Sequence, residues 1–295
     1  MSDYAITCGS TSDLPKEFYE ENDIHCGLFH FEIGGVDYLD DLGEFLSYDD
    51  FYKLIEEGNH PRTSQLTQQD YINLWTPLLE GGKDIIDVGL SSGITSGFNN
   101  AMMAKKALEE KYPERRITVI DSKAATGGYG MLMVYIVKHR DEGMSYDELV
   151  EWIEKNKLNI HCWFFSTNLT GYLRGGRISK SSHIFGTMLK LCPLININSE
   201  GKLIPREKIR GKNKALKAIY NKMVEHAQGG LDYSGKCFVY HTAFYDEARS
   251  LADRIEENFP NLDGKVFIHS VGTVVGSHMY PGSICLFFVG DERTE

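Results

Sequence analysis

The segment of this chain richest in small hydroxyl residues is Gly89-Leu90-Ser91-Ser92-Gly93-Ile94-Thr95-Ser96-Gly97. An apolar run precedes it and a helical pattern follows it. Hydroxyls and free N–H groups at a helix start can hold one anionic group. The plainer reading is a glycine-rich turn with Ser or Thr as N-cap. Thr63-Ser64-Gln65 is a second hydroxyl segment just before a helix, on its own a cap. His278 lies in Gly276-Ser277-His278-Met279-Tyr280-Pro281-Gly282, where an imidazole is either a satisfied structural donor or a donor to a ligand carboxylate. Arg174 and Arg177 flank Gly175-Gly176, and two guanidinium groups on a glycine loop can meet phosphate or carboxylate bidentately.

Gly89-Leu90-Ser91-Ser92-Gly93 also matches G-x-S-x-G, the nucleophile elbow of α/β-hydrolases, with Asp246 and His278 as nominees for the acid and base. An elbow turns directly from strand to helix, whereas here the helix opens near Thr95 or Ser96, and no HGGG-like oxyanion segment accompanies it. A serine hydrolase using Ser91 is therefore the minor alternative. Other cofactor and metal signatures are missing from the sequence: no G-x-G-x-x-G after a strand, no P-loop, no metal-ligand spacing. The cysteines Cys8, Cys26, Cys162, Cys192, Cys237 and Cys285 are scattered without a C-x-x-C pair, so neither zinc nor a disulfide framework is expected.

The elements that must position these residues alternate. Ala5–Cys8 reads as a strand, followed by the loop Gly9-Ser10-Thr11-Ser12 and a helix start near Pro15. Ile24–Ile33 reads as one strand, turning at Gly34-Gly35 into Val36–Leu39. Thr67-x-x-Asp70 and Ser145-x-x-Glu148 open helices as capping boxes. Asp84–Leu90 and Ile117–Asp121 read as strands, each followed by a glycine-bearing turn and a helix. This rhythm predicts a parallel α/β sheet with its ligand crevice beyond the strand C-termini. The second half is less regular. Ile160–Ser166, Leu194–Ile197, Leu203–Ile209, Lys236–His241, Lys265–Ser270 and Ile284–Val289 read as strands, Ser199-Glu200-Gly201-Lys202 as a hairpin turn, and Gly171–Ser179 as a loop. The division expected is 1–156, a parallel α/β domain, and 157–295, a mixed α/β domain.

Composition narrows the function classes. The chain has 295 residues, with Lys plus Arg 31 against Asp plus Glu 42, a formal net charge of −11. That balance argues against nucleic acid or an anionic membrane surface as the main partner. Val266–Gly290 holds no Asp, Glu, Lys or Arg over 25 residues. Its glycines, Pro281 and two histidines make it a buried strand, a polar loop and a second buried strand rather than a membrane span. The opening Met1-Ser2-Asp3-Tyr4 has no basic or apolar leader pattern. With thiols used as small hydrophobes, a cytoplasmic location is expected.

Taken in order, Gly9-Ser10-Thr11-Ser12-Asp13-Leu14-Pro15, Thr63-Ser64-Gln65, Ser91–Gly97, Asp121-Ser122 with Gly127-Gly128, Leu173-Arg174-Gly175-Gly176-Arg177-Ile178-Ser179, Arg210-Gly211, His241-Thr242 and Gly276-x-His278 with Pro281-Gly282 resemble the DegV family of bacterial fatty-acid-binding proteins over nearly the whole chain. The resemblance implies two α/β domains with a long-chain fatty acid between them and no other cofactor. It also implies a partner, an ATP-dependent fatty acid kinase that phosphorylates the presented carboxylate, the binding protein supplying no catalytic group. A lipid-sensing scaffold is the second alternative. Carried over by position, the carboxylate site falls on the Thr63-Ser64 loop and the Ser91–Ser96 loop, with Ser64 and Ser96 favoured over Thr63 and Ser92, and on His278. Arg174 is placed near the mouth, to help kinase docking or phosphoryl transfer. The chain departs from the family pattern at Gly9 (usually Asp), Leu66 (usually Pro) and Tyr280 (usually Gly).

Overall fold

A computed structural model describes residues 3–178 and 191–294. Ser179, the last residue of the arginine-glycine motif, lies outside the described residues. Four parallel strands, β1 (Tyr4–Gly9), β2 (Ile24–Gly27), β6 (Asp84–Gly89) and β7 (Ile117–Asp121), form one sheet in the order β2-β1-β6-β7. A second, three-stranded antiparallel sheet is built from β3 (His30–Ile33), β4 (Val36–Leu39) and β5 (Arg62–Ser64), with β3 in the middle. The third sheet has the order β10-β9-β8-β13-β11-β12. Its strands are β8 (Ile160–Ser166), β9 (Leu191–Ile197), β10 (Leu203–Arg210), β11 (Phe238–Thr242), β12 (Phe267–Ser270) and β13 (Ser283–Val289), and its pairs are antiparallel except β11–β12.

The expected capping boxes both form. Thr67 caps α3 (Gln68–Glu80) and Ser145 caps α6 (Tyr146–Asn156), each with reciprocal bonds to the acid three residues on. Gly34 and Gly35 both take positive φ, as a two-residue turn between right-twisted strands requires. Three expectations are corrected. Ile24–Ile33 is not one strand: the chain leaves the parallel sheet after Gly27 and enters the antiparallel sheet at His30. The backbone N–H of Phe29 in this crossing donates to Ser10 Oγ at 3.1 Å. Gly171–Ser179 is not wholly loop, because Thr170–Gly175 is helix α7. The middle of Val266–Gly290 is helix α10 (Thr273–Met279), between β12 and β13. No helix among the described residues is long and apolar enough to cross a membrane.

Helix α5 (Thr126–Asp141) explains how the parallel and mixed sheets share one core. Its first two turns are buried all round, as a helix packed on both sides must be. A Cβ on Gly127 would stand 2.6 Å from the Phe287 ring of β13, and one on Gly130 2.5 Å from the carbonyl of Ser12. Glycine is what lets the helix pass between the two sheets. Tyr129 then fastens it to the parallel sheet, accepting from the Gly9 N–H at 2.9 Å and donating to the Val88 carbonyl.

Candidate functional site

A cavity of about 480 Å³, open to solvent on one side, lies where the three sheets meet, within the roughly 300–1,000 Å³ of small-molecule sites. Its apolar wall includes Phe29, Phe164, Ile197, Leu203, Met279 and Phe287. At its polar end stand Thr63, Ser64, Gln65, Thr95, Ser96 and His278. Three elements place them. Thr63 and Ser64 lie on edge strand β5, opposite Phe31 and His30. Ser96 precedes helix α4 (Gly97–Lys111), and its hydroxyl makes no capping bond to the backbone of that helix. It donates instead to Gln65 Oε1 at 3.1 Å, which also receives the Thr95 hydroxyl at 3.0 Å. One glutamine thus clasps the two hydroxyl segments together.

His278 comes from α10 and meets Thr63 Oγ1 through Nε2 at 2.8 Å. Arg177 Nη1 approaches the other ring nitrogen, Nδ1, at 3.5 Å. A guanidinium only donates, so Nδ1 keeps its lone pair and Nε2 carries the hydrogen given to Thr63. The Thr63 hydroxyl hydrogen is then free for a ligand. Burial, with the Arg177 charge second, pushes the His278 imidazolium down to about 4, so the ring is a neutral donor at neutral pH. Ring NMR is expected to show the Nε2–H tautomer and no titration between pH 8 and about 5.5; a ring that protonates near pH 6.5 would contradict this assignment.

Helix α7 reaches α10 unusually closely. A Cβ on Gly171 would stand 2.5 Å from the Tyr280 ring, and one on Gly175 would overlap His278 Nδ1. Gly176 ends the helix in the left-handed conformation at φ 67° and turns the chain so that Arg177 comes back over the helix end, donating to the Gly175 carbonyl.

The structure therefore brings together Thr63, Ser64, Ser96 and His278 and separates two other candidates from them. Ser92 faces an outer vestibule of about 520 Å³ that it shares with Gln65, Thr95, Ser96, Gly176 and Arg177. Its hydroxyl accepts from Lys123 Nζ at 3.2 Å, and Lys123 in turn pairs with Asp121 Oδ2 at 2.8 Å. Burial pushes the Asp121 carboxyl up, but the Lys123 and Ser92 hydrogen bonds outweigh it and hold the group below its usual range. Arg174 is exposed on α7 and lies beside the Tyr280 hydroxyl, away from the cavity lining. Gln65 and Thr95 are the residues that reasoning from sequence passed over as site groups, while Arg177, nominated with Arg174 as an anion binder, is the one of that pair that reaches the cavity. The signal for Arg177 was the Gly175-Gly176 stop, which returns the residue after it to the helix end.

Ser91 is committed elsewhere. Its buried hydroxyl donates to the Gly201 carbonyl at 2.8 Å, fastening the β9–β10 turn to this loop, while His278 faces Thr63 and Asp246 is exposed on α9 (Tyr245–Asn258). The nominated Ser-Asp-His set is not assembled. Two of the sequence departures have steric reasons: a Cβ at Gly9 would meet the Phe29 ring at 2.7 Å, and buried Leu66 fills the space in front of Gly27.

Among the described residues, His161, His226 and Asp291 lie close enough to suit a metal ion, a grouping that chain spacing hides. The Trp163 indole N–H donates to His161 Nδ1 at 3.2 Å, which leaves the hydrogen on Nε2, and that N–H donates to the backbone carbonyl of Asp291 at 2.9 Å. That tautomer is committed to the carbonyl and opposes metal ligation.

Residues 3–291 match the family described as "Uncharacterised protein, DegV family". A DegV domain-containing protein of Clostridium perfringens is 30% identical over 294 residues, covering 99% of each chain. Among solved structures, a fatty-acid-binding DegV family protein of Thermus thermophilus aligns with TM-score 0.86 at 21% identity, over 97% of this chain and 99% of that one. DegV of Bacillus subtilis, a fatty acid binding protein, aligns with TM-score 0.84 at 23% identity, over 99% and 100%. A stearic acid-binding protein of Eubacterium ventriosum aligns with TM-score 0.85 at 23% identity, over 97% and 98%. The α/β architecture is that of the DegV fold, and this chain belongs to the DegV family.

Proposed function

We propose that this protein binds one long-chain fatty acid, its hydrocarbon in the apolar cavity and its carboxylate at Thr63, Ser64, Ser96 and His278. The observation that carries this reading is an apolar cavity with one polar end, whose imidazole is neutral and whose Thr63 hydroxyl has a hydrogen to give. Burial of the chain contributes about 0.8 kcal/mol per CH₂. Burying an unpaired carboxylate is costly, and convergent hydroxyl donors offset that cost. The fatty acids bound by related proteins of the same fold support the ligand class.

The protein is then a carrier that supplies no catalytic group. In the cytoplasm it presents the carboxylate to the catalytic subunit of an ATP-dependent fatty acid kinase. A carboxylate oxygen attacks the γ-phosphorus of ATP, ADP leaves, and the acyl phosphate feeds phospholipid synthesis. The polar vestibule beside the headgroup end supports such a transfer, because Arg177 borders both spaces. Arg177 is better placed than Arg174 to meet the phosphoryl group, which leaves Arg174 for contact with the partner.

Denaturing mass spectrometry of the purified protein is expected to release a fatty acid of roughly C14–C18. Neither bound lipid nor micromolar affinity for any such acid would overturn the reading. Reconstitution with ATP and a kinase subunit is expected to yield acyl phosphate. Lipid binding without acyl phosphate would favour the sensing scaffold.

A further inference from the structure

Tyr280 follows α10 directly with φ 62° and ψ 166°, a backbone region that is essentially glycine's own. Glycine would hold that backbone without strain, so the turn itself does not call for the aromatic side chain. What the side chain does is join three segments. Its hydroxyl meets His60 Nδ1 at 2.9 Å, and the two rings stack with centroids 6.1 Å apart and 17° between planes. His60 lies three residues before Thr63. The ring edge packs against Gly171 of α7, the helix that leads to Arg177. The backbone is held on both sides, its N–H donating to the Gly276 carbonyl at 2.9 Å and its carbonyl accepting from Thr242 Oγ1 at 2.6 Å. Tyr280 is buried, and His278 is two residues upstream. The two segments its side chain joins to α10 lead to Thr63 and to Arg177, both on the cavity lining.

We propose that Tyr280 is a positioning residue that latches the His60–Ser64 segment and α7 onto α10, and so sets how fast the bound lipid leaves. The proposal rests on the fatty-acid reading above. Its physical content is a strained backbone retained for the side-chain contacts it allows. The latch touches neither the carboxylate nor the hydrocarbon, so it acts through the placement of Thr63 and His278.

The test is stopped-flow exchange of a fluorescent long-chain fatty acid on the full-length protein, comparing wild type with Tyr280→Gly and Tyr280→Phe. Tyr280→Gly removes the latch and the strain together, and Tyr280→Phe keeps ring and strain but loses the hydroxyl's contacts with His60 and Arg174. Dissociation is expected to quicken roughly tenfold in Tyr280→Gly and severalfold in Tyr280→Phe, with association nearly unchanged. His60→Ala is expected to add nothing in the Tyr280→Phe background. The Tyr280→Gly melting midpoint is expected to fall, because the space left by a buried ring outweighs the strain relieved, whereas Tyr280→Phe keeps the packing and its midpoint is expected to move little. Unchanged dissociation in Tyr280→Phe, or faster dissociation there that merely tracks a fallen midpoint, would overturn the latch. If wild type binds no fatty acid, the underlying reading fails instead, so the two failures are distinguishable.

Discussion

Gly175→Ala is expected to cost the protein its hold on the carboxylate while leaving it folded. In an ordinary helix the change adds about 1 kcal/mol of stability, because alanine has the higher propensity. Here the new methyl would overlap His278 Nδ1, and the imidazole is the movable partner. Forcing it aside breaks the 2.8 Å bond from Nε2 to Thr63 Oγ1. A hydrogen bond to a charged group contributes about 1.5–3 kcal/mol. Without the imidazole, Thr63 loses the partner that aims its hydrogen at the carboxylate, which should weaken fatty acid binding roughly 10- to 100-fold. Overpacking costs a further ~1–3 kcal/mol of stability, which a chain with this much buried core tolerates.

The double variant separates displacement of the imidazole from general damage to α7. If Gly175→Ala acts by moving His278, then His278→Ala alone should weaken binding similarly, and combining the two should add little. Titration calorimetry with a long-chain acid measures all three. Losses that add in full, or wild-type affinity in Gly175→Ala, would show that the α7–α10 approach does not set the headgroup site.

The same two helices mark the limit of what the sequence displays. Strand–helix alternation and the boxes at Thr67 and Ser145 were legible because their signals are local, a polar cap ahead of a periodic segment. Helices α7 and α10 carry Gly171, Gly175 and Gly276, residues of low helix propensity, and so read as loop. Their glycines are there because His278, Tyr280 and the Tyr52 hydroxyl crowd the places where methyls would go. Packing between distant segments overrides local propensity at those positions, and no window of sequence shows it. The crossing at Leu28-Phe29 escaped notice for a related reason, since the apolar pattern runs on while the chain changes sheets. Candidate hydroxyls were visible by type. Which of them face the cavity depended on Gln65 and Lys123, each reaching across from another segment.

Asp87→Asn is expected to stabilise the protein above neutral pH and to have little effect near pH 5. Asp87 sits in the middle of the parallel sheet opposite Thr7, fully buried. A relay runs into it, the Trp75 indole N–H donating to Thr7 Oγ1 at 3.1 Å and the Thr7 hydroxyl donating to Asp87 Oδ1 at 2.6 Å. Oδ2 has no partner among the described residues. Burial pushes the carboxyl up to about 7, with the Thr7 bond pulling the other way. In the unfolded chain an aspartate titrates near ~3.9. The folded state therefore holds its proton more tightly, and its contribution to stability is full below about pH 4 and lost as pH rises through about 7. The difference between those two states of the carboxyl amounts to roughly 4 kcal/mol at most. Asparagine keeps the acceptor for Thr7 and never ionises, but buries an amide N–H₂ where Oδ2 stood, a cost of about 1–3 kcal/mol. The net expectation is a gain of roughly 1–3 kcal/mol at pH 8. His161, His269 and His278, each pushed down to about 4 chiefly by burial, act in the opposite sense, their contribution falling as pH drops below about 6.5. These slopes oppose one another between about pH 4 and 7, so the wild-type profile alone hides the aspartate. The difference between wild type and Asp87→Asn, from urea unfolding of delipidated protein at pH 5 and pH 8, isolates it. An equal difference at the two pH values would mean that Asp87 is ionised in the folded state throughout and that the sheet interior accommodates its charge.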